Sequence, residues 1–423
     1  MNNSRNLSND CFTLPRGVSW TPVDTALEQL KNGLLSVVEI ETISIYKGVG
    51  RILARPIFAV SSNPPYSNSA VDGYGFIGPT DGSLTRMTLI NDRAAAGEAF
   101  YGTVPKGSAI RILTGAVLPS GIDTIVLDED VDLLDGSVIS LEVALKVGAN
   151  TRKVGEDVVA GHQVFSEGHV IRPQDLALLA SVSCFQVAVF IPLKVGVFST
   201  GNELLDVQTI PISKSKLGQI YDSNRPMLIS LLEKWNFKSI DLGIIPDDKN
   251  LLRNSLNEAS KSVDAIITSG GASSGDEDHV SRLIKEEGKL ENWRIAVKPG
   301  RPLALGLWKG IPIFGLPGNP VAAFVCALIF VKPALGVLSG SDWIEPQGYL
   351  IPASFNKFKK PGRREFLRAR LSNKGKVEIF QSEGSGRISG LGWSTGLIEV
   401  MENIEKIEIE QLVKFIPYSS FGL

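Results

Sequence analysis

The sequence is poor in the residues on which cysteine and histidine chemistry depends. Its three cysteines lie far apart, without a CxxC or other paired spacing: Cys11, Cys184 and Cys326. This spacing supports neither a disulfide framework nor a thiolate metal site, so we expect structural thiols. The histidines have neither a metal-ligand nor a triad spacing: His162, His169 and His279. The composition therefore argues against a histidine-based hydrolase.

Long apolar runs and net charge of one sign are also missing. Apolar stretches such as Val321 to Val331 fall short of the roughly 20 residues that cross a bilayer. Residues 1–15 are polar where a signal peptide would be apolar, and the formal net charge of the 423 residues is only -2. We therefore expect a cytoplasmic protein that binds neither nucleic acid nor membranes, with a flexible tail over residues 1–16.

Apolar periodicity divides the rest of the chain into four predicted domains. Residues 17–60 and 159–192 are read as one helical elongated domain, and residues 61–158, with short apolar runs broken by Gly and Pro, as an inserted β-rich domain. Strand and helix patterns alternate over residues 193–338, and residues 343–423 return to short strands. The sequence predicts a multidomain α/β protein whose central domain is doubly wound, with helices on both faces of a parallel sheet, and whose C-terminal domain is β.

The segment from Ser269 to Asp278 has the features of an anion-binding loop. It follows an apolar run and precedes a predicted helix, and its glycines allow a ligand to approach the backbone closely. Asp276 and Asp278 stand at the same place, where bare carboxylates would repel a phosphate. The pattern predicts either a phosphorylated ligand with a divalent cation or a tight turn whose acidic residues stabilise the helix dipole.

Other polar loops adjoin the predicted strands of the same sheet. They are Phe198–Glu203, Gln219–Asn224, Ile245–Asp248, Val297–Pro302 and Gly315–Pro320. Because parallel strands carry their loops to one edge, we expect these loops to gather there. Asp222 is a candidate helix cap, one aspartate of the pair Asp247 and Asp248 could cap while the other faces a ligand, and Asn319 is expected to cap a helix that begins at Pro320.

Seven segments of the chain form an ordered set of motifs: Pro64–Phe76, Thr114–Pro119, Gly155–Asp157, Ser199–Leu204, Ser269–Asp278, Lys298–Pro302 and Gly315–Pro320. Taken together, these motifs resemble one known family, molybdopterin molybdotransferase, which includes the C-terminal domain of gephyrin. The resemblance extends over roughly residues 17–423. Members of this family insert molybdate into adenylylated molybdopterin and release AMP, which gives the molybdenum cofactor.

The resemblance implies a homodimer of four-domain chains that uses Mg²⁺ and binds the pterin in the domain of residues 193–338. Its active site would lie between subunits, with Asp72 and Thr114 entering from the second protomer. Glu203, Asp247 and Asp278 would line the pterin side and hold the metal. These five residues and Asp157, which belongs to the Gly-Glu-Asp motif, are the predicted catalytic set.

The resemblance also assigns contacts to the substrates, molybdate and adenylylated molybdopterin. The predicted set is Ser269, Gly270, Gly271, Ser273, Gly275, Arg294, Lys298, Gly300, Arg301, Pro317, Asn319, Pro320, Arg363 and Ser385. Molybdate is a tetrahedral dianion, so the cations and the hydroxyl of this set suit it. Two positions depart from the family pattern: Arg294 stands where lysine is frequent, and Val117 where proline is.

Several alternatives stay open. Asp157 could be a hinge contact, and Asp72 could simply start a turn. The chain could instead be a molybdopterin adenylyltransferase, although the three extra domains argue against this, or a non-catalytic scaffold of the gephyrin type, although the acidic and glycine-loop residues argue against that. Molybdopterin adenylyltransferase and acceptor molybdoenzymes are the partners that the resemblance suggests.

Overall fold

The computed structural model describes residues 20–423 except residues 207, 209–215, 271–278, 294, 301–302, 383 and 385. The chain forms two compact units. One comprises residues 41–189, and the other comprises the described residues up to 40 together with residues 190–423.

Short strands dominate the unit of residues 41–189. After helix α1 (Val23–Gly33), the elements are β1 (Ile40–Ser44), β2 (Ile57–Phe58), β3 (Asn68–Ser69), β4 (Gly73–Phe76), β5 (Thr80–Asp81), β6 (Thr85–Ala94), β7 (Ser108–Ile112), β8 (Thr124–Leu127), β9 (Asp132–Leu134), β10 (Val138–Leu141), β11 (Ala144–Leu145), β12 (Thr151–Arg152), β13 (Gln163–Phe165), α2 (Pro173–Ser181) and β14 (Gln186–Phe190). Six strands form one sheet in the order β8-β4-β7-β6-β10-β9, in which only β6 and β7 are parallel. The predicted β-rich character of this region is confirmed.

The flanking helical segment is smaller than its periodicity suggested. Its described part within residues 41–60 and 159–189 contains one α-helix, α2, where Asp175 is buried and accepts hydrogen bonds from Arg172 N at 2.8 Å and from His169 Nε2 at 2.7 Å. Strand pairs β2–β13 and β1–β14 supply the remaining regular structure. The side chains of His169 and Arg172 both pair with Asp175 in the first turn of this helix. Their role is therefore structural.

The second unit is built on a six-stranded sheet. Its elements are β15 (Lys194–Thr200), β16 (Leu204–Leu205), β17 (Ile220–Tyr221), α3 (Asn224–Lys234), β18 (Lys238–Ile245), α4 (Lys249–Ala259), β19 (Ala265–Ser269), α5 (His279–Glu287), β20 (Lys289–Trp293), β21 (Val297–Lys298), β22 (Leu303–Trp308), β23 (Ile311–Leu316), α6 (Pro320–Cys326) and α7 (Lys332–Leu338). The strand order is β18-β15-β19-β23-β22-β20.

This sheet is mixed, which corrects the expectation of an all-parallel sheet. Strands β18, β15, β19 and β23 are parallel, whereas β22 and β20 run antiparallel to their neighbours. The reversal occurs at Lys309 and Gly310, which have φ angles of 49° and 86° and join β22 to β23. Two successive residues with positive φ form the two-residue turn that closes an antiparallel hairpin. The pair Lys-Gly was the sequence signal for this hairpin.

Helix α1 belongs to the core of this second unit. Val23, Ala26 and Leu30 are buried at the helical spacing i, i+3, i+7, and they share one apolar cluster with Phe330 and Leu335. The apolar periodicity within residues 17–60 thus correctly predicted a helix. Its assignment to the helical domain of residues 17–60 and 159–192 differs from the structure, because periodicity shows that a face is buried and not which core buries it.

A continuous helical run from Pro320 to Leu338 passes through the same core. It includes a π-helical turn over Ala327–Val331 between α6 and α7. By length and composition its 19 residues would suffice to cross a membrane, but 83% of the run is buried inside the protein. It is therefore placed as a core helix. Cys326 lies on it, and burial raises the pKa of its thiol to about 12, as expected for a structural cysteine.

The C-terminal residues form a β domain, as predicted. Its elements are β24 (Tyr349–Pro352), β25 (Lys357–Phe358), β26 (Arg364–Leu371), β27 (Val377–Ile379), α8 (Ser389–Trp393), β28 (Gly396–Val400), β29 (Lys406–Ile407) and β30 (Leu412–Pro417). The main sheet has the order β21-β26-β28-β30-β24, so β21, which precedes β22 in the chain, joins this sheet.

A buried arginine ties helix α1 to the C-terminal sheet. Arg364 donates to Asp24 at 2.7 Å, to Glu399 at 3.1 Å and to Glu402 at 3.2 Å. Burial alone would lower the pKa of Arg364, but these three carboxylates together raise it. A buried ion pair contributes to stability only when its hydrogen bonds are complete, and here several carboxylate oxygens accept from one guanidinium.

The turn after α7 leads to a test of the packing. Gly340 has a φ of +88°, and a Cβ there would lie 2.2 Å from the ring of Phe190. We expect Gly340→Ala to destabilise the protein by clearly more than the roughly 1 kcal/mol of the left-handed backbone alone, because the ring must also move. Gly375→Ala is the matched control, since Gly375 has a φ of +71° and open space around it. Thermal unfolding followed by circular dichroism measures both variants, and equal losses would contradict the packing argument.

Candidate ligand site at the carboxyl edge of the central sheet

Four parallel strands of the central sheet end at one edge. The register pairs Thr200 of β15 with Ile245 of β18. It also pairs Ser269 of β19 with Ser199 of β15 on one side and with Leu316 of β23 on the other. The loops that follow these strands therefore begin at the same level. This is the arrangement in which open α/β sheets bind ligands, and it brings together the predicted loops.

Two carboxylates gather at the end of the edge formed by β18 and β15. The backbone N–H of Asn202 donates to Asp247 Oδ2 at 3.1 Å, and the N–H of Asp247 donates to Asn202 Oδ1 at 3.2 Å. A Cβ built on Gly201 would lie 2.6 Å from the Glu203 carboxylate, so Glu203 folds back over the same turn. Asp248 instead caps α4 by accepting from the N–H groups of Asn250 and Leu251. Of this predicted pair, Asp248 is therefore the cap, and a contact of Asp247 with a ligand stays a prediction.

The third predicted metal ligand, Asp278, lies outside the described residues. Among the residues that are described, no group of three or more His, Cys, Asp or Glu side chains is arranged to hold a metal ion. Glu203 and Asp247 supply two carboxylates at adjacent strand ends, which is the oxygen chemistry that Mg²⁺ prefers. The two residues fit a magnesium site that needs further oxygen ligands.

In the middle of the edge, Asn224 connects the ends of β19 and β23. Its Nδ2 donates to Ser269 Oγ at 2.6 Å and to the carbonyl of Gly318 at 2.7 Å, which joins the loops after β19 and β23. Its Oδ1 is buried without a hydrogen-bond partner, and so is Thr200 Oγ1. Gly270 lies against Thr200, because a Cβ there would sit 2.7 Å from the Thr200 carbonyl oxygen. Buried polar atoms without a partner cost about 1–3 kcal/mol each, so we expect ordered water or a polar ligand group to satisfy them.

A buried arginine holds Asn224 in position. Arg225 donates to Asp241 at 2.5 Å, to Asp206 at 2.7 Å and to Asp222 at 3.2 Å. Asp222 also accepts from the N–H groups of Asn224 and Arg225 at the start of α3, whereas Ser223, the residue at the N-cap position, makes no side-chain capping hydrogen bond. Burial opposes the charge of Arg225, but the carboxylates outweigh it and raise its pKa.

The end of the edge beyond β23 carries a cation. Asn319 caps α6 by accepting from the N–H groups of Val321 and Ala322, and Pro320 occupies the first helical turn, as predicted. A cavity of about 30 Å³ lies between Lys298, Val321 and the C-terminal domain residues Phe366 and Arg368. This space admits about one water molecule. Lys298 thus lies close to the start of α6.

Two neighbours restrict the position of Lys298. Its Nζ lies 3.2 Å from Glu365 Oε1. Gly300, two residues further along, has a φ of +125°, and a Cβ there would lie 2.9 Å from Cys326 Sγ. The loop after β21 is therefore packed closely against α6, and only glycine fits at position 300 without a shift.

Asp72 and Thr114 form a separate pair in the unit of residues 41–189. One carboxylate oxygen of Asp72 accepts from Thr114 N at 2.6 Å and from Thr114 Oγ1 at 2.7 Å. These two donors, the backbone amide first, hold the pKa of Asp72 below 3.8, and the charge of Arg111 adds to the effect. The pair faces solvent, and the Asp72 carboxylate is ionised at neutral pH.

The remaining predicted residues divide into two groups. Asp157 accepts from Asn63 Nδ2 at 2.8 Å, and its N–H donates to the Asn63 carbonyl, which fixes the chain entering and leaving the β-rich region. Pro317 is buried behind Gly318, and Arg363 is buried directly before β26. The others lie outside the described residues: Gly271, Ser273, Gly275, Asp278, Arg294, Arg301 and Ser385.

Some residues of this edge were not singled out from the sequence. Asn224 ends the predicted loop Gln219–Asn224, and its position at the start of a helix was the only local signal. Arg225 and Glu365 had none that identified all their partners, because some of these lie far away in sequence: Asp206 and Asp241 are 19 and 16 residues from Arg225, and Lys298 is 67 residues from Glu365.

Comparison with known families accounts for nearly the whole chain. Residues 21–183 match the MoeA N-terminal region, domains I and II; residues 196–336 match a probable molybdopterin binding domain; and residues 351–418 match the MoeA C-terminal region, domain IV. The chain belongs to the MoeA family. The order of the three matches agrees with the segments on which the sequence resemblance rests.

Individual relatives agree with this assignment to MoeA. The chain is 35% identical to molybdopterin molybdenumtransferase of Haemophilus influenzae over 86% of this chain and 89% of that protein. It is 33% identical to gephyrin of Dictyostelium discoideum over 77% of this chain and 51% of that protein. The crystal structure of a molybdopterin biosynthesis MoeA protein from Pyrococcus horikoshii superposes with a TM-score of 0.78 at 30% identity, and the match covers 95% of this chain and 99% of that one.

The Asp72–Thr114 pair of this MoeA protein yields a direct electrostatic test. Thr114→Val removes the hydroxyl donor and keeps the backbone amide, so we expect the Asp72 pKa to rise toward 3.8 without reaching it. Carbon-13 NMR of the carboxyl carbon during an acid titration measures the value. Thr114→Ser keeps the hydroxyl and is the control. A depressed carboxyl pKa stabilises the folded state above 3.8, and this contribution is lost as the pH falls through the folded value; an unchanged pKa in Thr114→Val would refute the role of the hydroxyl.

Proposed function

We propose that this MoeA protein is a molybdopterin molybdotransferase that inserts molybdate into adenylylated molybdopterin and releases AMP, giving the molybdenum cofactor. The proposal rests on one observation above all. Along one sheet edge, carboxylates follow β18 and β15, a glycine loop follows β19, and a helix start beside Lys298 follows β23. A site that binds a pyrophosphate with an oxyanion beside it requires these groups in this order along the edge.

The carboxylate end of the edge suits a metal ion. Glu203 and Asp247, together with Asp278, would hold Mg²⁺, which when bound supplies positive charge to a pyrophosphate oxygen. The hydrogen bonds between Asn202 and Asp247 fix the turn that presents both carboxylates. Without a cation these two groups would repel the phosphates of the substrate.

The middle of the edge suits the phosphate and pterin portions of the substrate. Ser269 and Gly270 begin the glycine loop, and Asn224 holds Ser269 Oγ at 2.6 Å. The unpartnered Thr200 Oγ1 and Asn224 Oδ1 are available to hydrogen-bond substrate groups there. Lys298, at the far end, would bind molybdate as an ammonium donor, with Arg301, Arg363 and Ser385 as the further donors that the family resemblance assigns.

Release of AMP from adenylylated molybdopterin tests this function. With Mg²⁺ and varied molybdate, we expect molybdate-dependent release by the wild type and a loss of at least about 100-fold in kcat/KM for Asp247→Asn. Asp248→Asn is a matched control, because it removes the same charge one residue away and asparagine caps a helix as well as aspartate does. Wild-type protein that releases no AMP at any molybdate concentration contradicts the proposal and favours a scaffold.

We further propose a cytoplasmic homodimer in which Asp72 and Thr114 of one protomer act on substrate held by the other, with acceptor molybdoenzymes downstream. In that arrangement, Asp72→Asn and Asp247→Asn are each inactive alone. Mixed and refolded together, they should recover about a quarter of the wild-type activity, since half of the dimers are mixed and each mixed dimer carries one intact site. Activity that stays at the level of the separate variants, while size analysis shows dimers, contradicts the shared site.

A further inference from the structure

A buried glutamate lies among lysines where the central and C-terminal sheets meet. Glu365 is 5% exposed, and its two oxygens face different cations. Lys298 Nζ lies 3.2 Å from Oε1, and Lys357 Nζ lies 3.5 Å from Oε2. The second contact is an ion pair without a hydrogen bond, since Oε2 has no hydrogen-bond partner among the described residues. The side chain of Lys357 is itself almost fully buried, at 4% exposure. One carboxylate therefore contacts two ammonium groups from two different strands.

The backbone sets this contact. Strands β21 and β26 are parallel, and their register places Lys298 directly opposite Glu365 and Val297 opposite Arg364. Since side chains alternate along a strand, Glu365 and Arg364 point to opposite faces of β26. Arg364 and its carboxylates thus belong to the contact with α1, whereas Glu365 belongs to the face that carries Lys298.

A third lysine lies close to the same group. Lys359 is buried and donates to the carbonyls of Glu402 at 3.1 Å and Ile404 at 3.2 Å. Burial lowers the pKa of Lys359, the charge of Glu365 counters that effect, and the charges of Arg363 and Lys298 add to it. These effects indicate that four charged groups lie close enough to interact electrostatically: Lys298, Lys359, Arg363 and Glu365.

We propose that Glu365 is a positioning residue for molybdate: it holds the Lys298 ammonium in a fixed place and separates it from that of Lys357. This inference rests on the proposed function, in which Lys298 binds the oxyanion. A lysine ammonium ends a flexible four-carbon stem, so it gives a precise contact only when a partner fixes it. Glu365 touches the cation and not the substrate, and it acts through Lys298.

The direction in which molybdate binding changes on substitution of Glu365 distinguishes a positioning role from a purely electrostatic one. Glu365→Gln removes a negative charge close to the place where a dianion binds, which by Coulomb's law alone would tighten molybdate binding. Positioning gives the opposite result, because Lys298 and Lys357 both lose the carboxylate with which they form ion pairs. We expect the KM for molybdate to rise about tenfold or more, with kcat changed less than about threefold, as is typical when a residue that orients a ligand group is lost.

The experiment compares full-length wild type, Glu365→Gln, Glu365→Asp and Glu399→Gln. AMP release gives kcat and the KM for molybdate, equilibrium dialysis measures uptake of molybdate alone, and thermal unfolding measures stability. Glu365→Asp keeps the charge and shortens the side chain, so its KM should lie between those of Glu365→Gln and the wild type. Glu399→Gln removes a carboxylate from the opposite face of the same sheet, near Arg364, and its KM and uptake should equal those of the wild type.

Each outcome decides the question. A wild-type or lower KM with undiminished uptake in folded Glu365→Gln overturns the inference, and so does an equal defect in Glu399→Gln, which would indicate a general structural effect. If Glu365→Gln does not fold, Glu365→Asp decides by the same criterion. Wild-type protein that releases no AMP contradicts the proposed function instead, while molybdate uptake by the same four proteins still tests the role of Glu365.

Discussion

The parallel alignment of four strands is the constraint on which the rest of the site depends. Because β18, β15, β19 and β23 are in register, their last residues lie at one level, and every loop that follows starts from the same edge. The order of strands in the sheet then becomes the order of chemical groups along the edge. Carboxylates come first, the glycine loop next, and the capped helix beside Lys298 last. A ligand that lies along this edge meets them in that order.

Buried charge makes the edge stiff. Arg225 is 4% exposed and contacts three aspartates, and desolvating such a group is costly unless its hydrogen bonds are complete. A simple turn before α3 would not need so much charge. The network is explained by the next residue in the chain, Asn224, whose amide joins the loops after β19 and β23. Fixing the first turn of α3 fixes that amide, and with it the distance between the two loops.

Features that depend on residues close together in the sequence were predicted, whereas contacts between residues far apart in the sequence were not. The caps Asp248 and Asn319 follow local rules, since each is a short polar residue before a helical run. Asn319 was predicted by itself, and Asp248 was predicted as one member of the pair Asp247 and Asp248. The alternating pattern likewise located the strands, although the turn at Lys309 and Gly310 that reverses β22 was overlooked. Asn224 contacts Ser269 and Gly318 at separations of 45 and 94 residues, so no local pattern predicts these two contacts. Periodicity also predicted helix α1 without indicating the core that buries it.

The separation of opposite charges along the edge is itself an argument about function. Glu203 and Asp247 follow β15 and β18, whereas Lys298 lies beside the helix that follows β23, so two other strand ends stand between acids and cation. Were the two carboxylates adjacent to Lys298, they would pair with it instead of with a metal ion. Glu365 is the exception, a carboxylate placed directly on the cation. Glu365 is buried and forms ion pairs with two lysines. In the role that we propose for it, its charge serves to place Lys298, so the position of the oxyanion, and not only its charge, matters for the reaction.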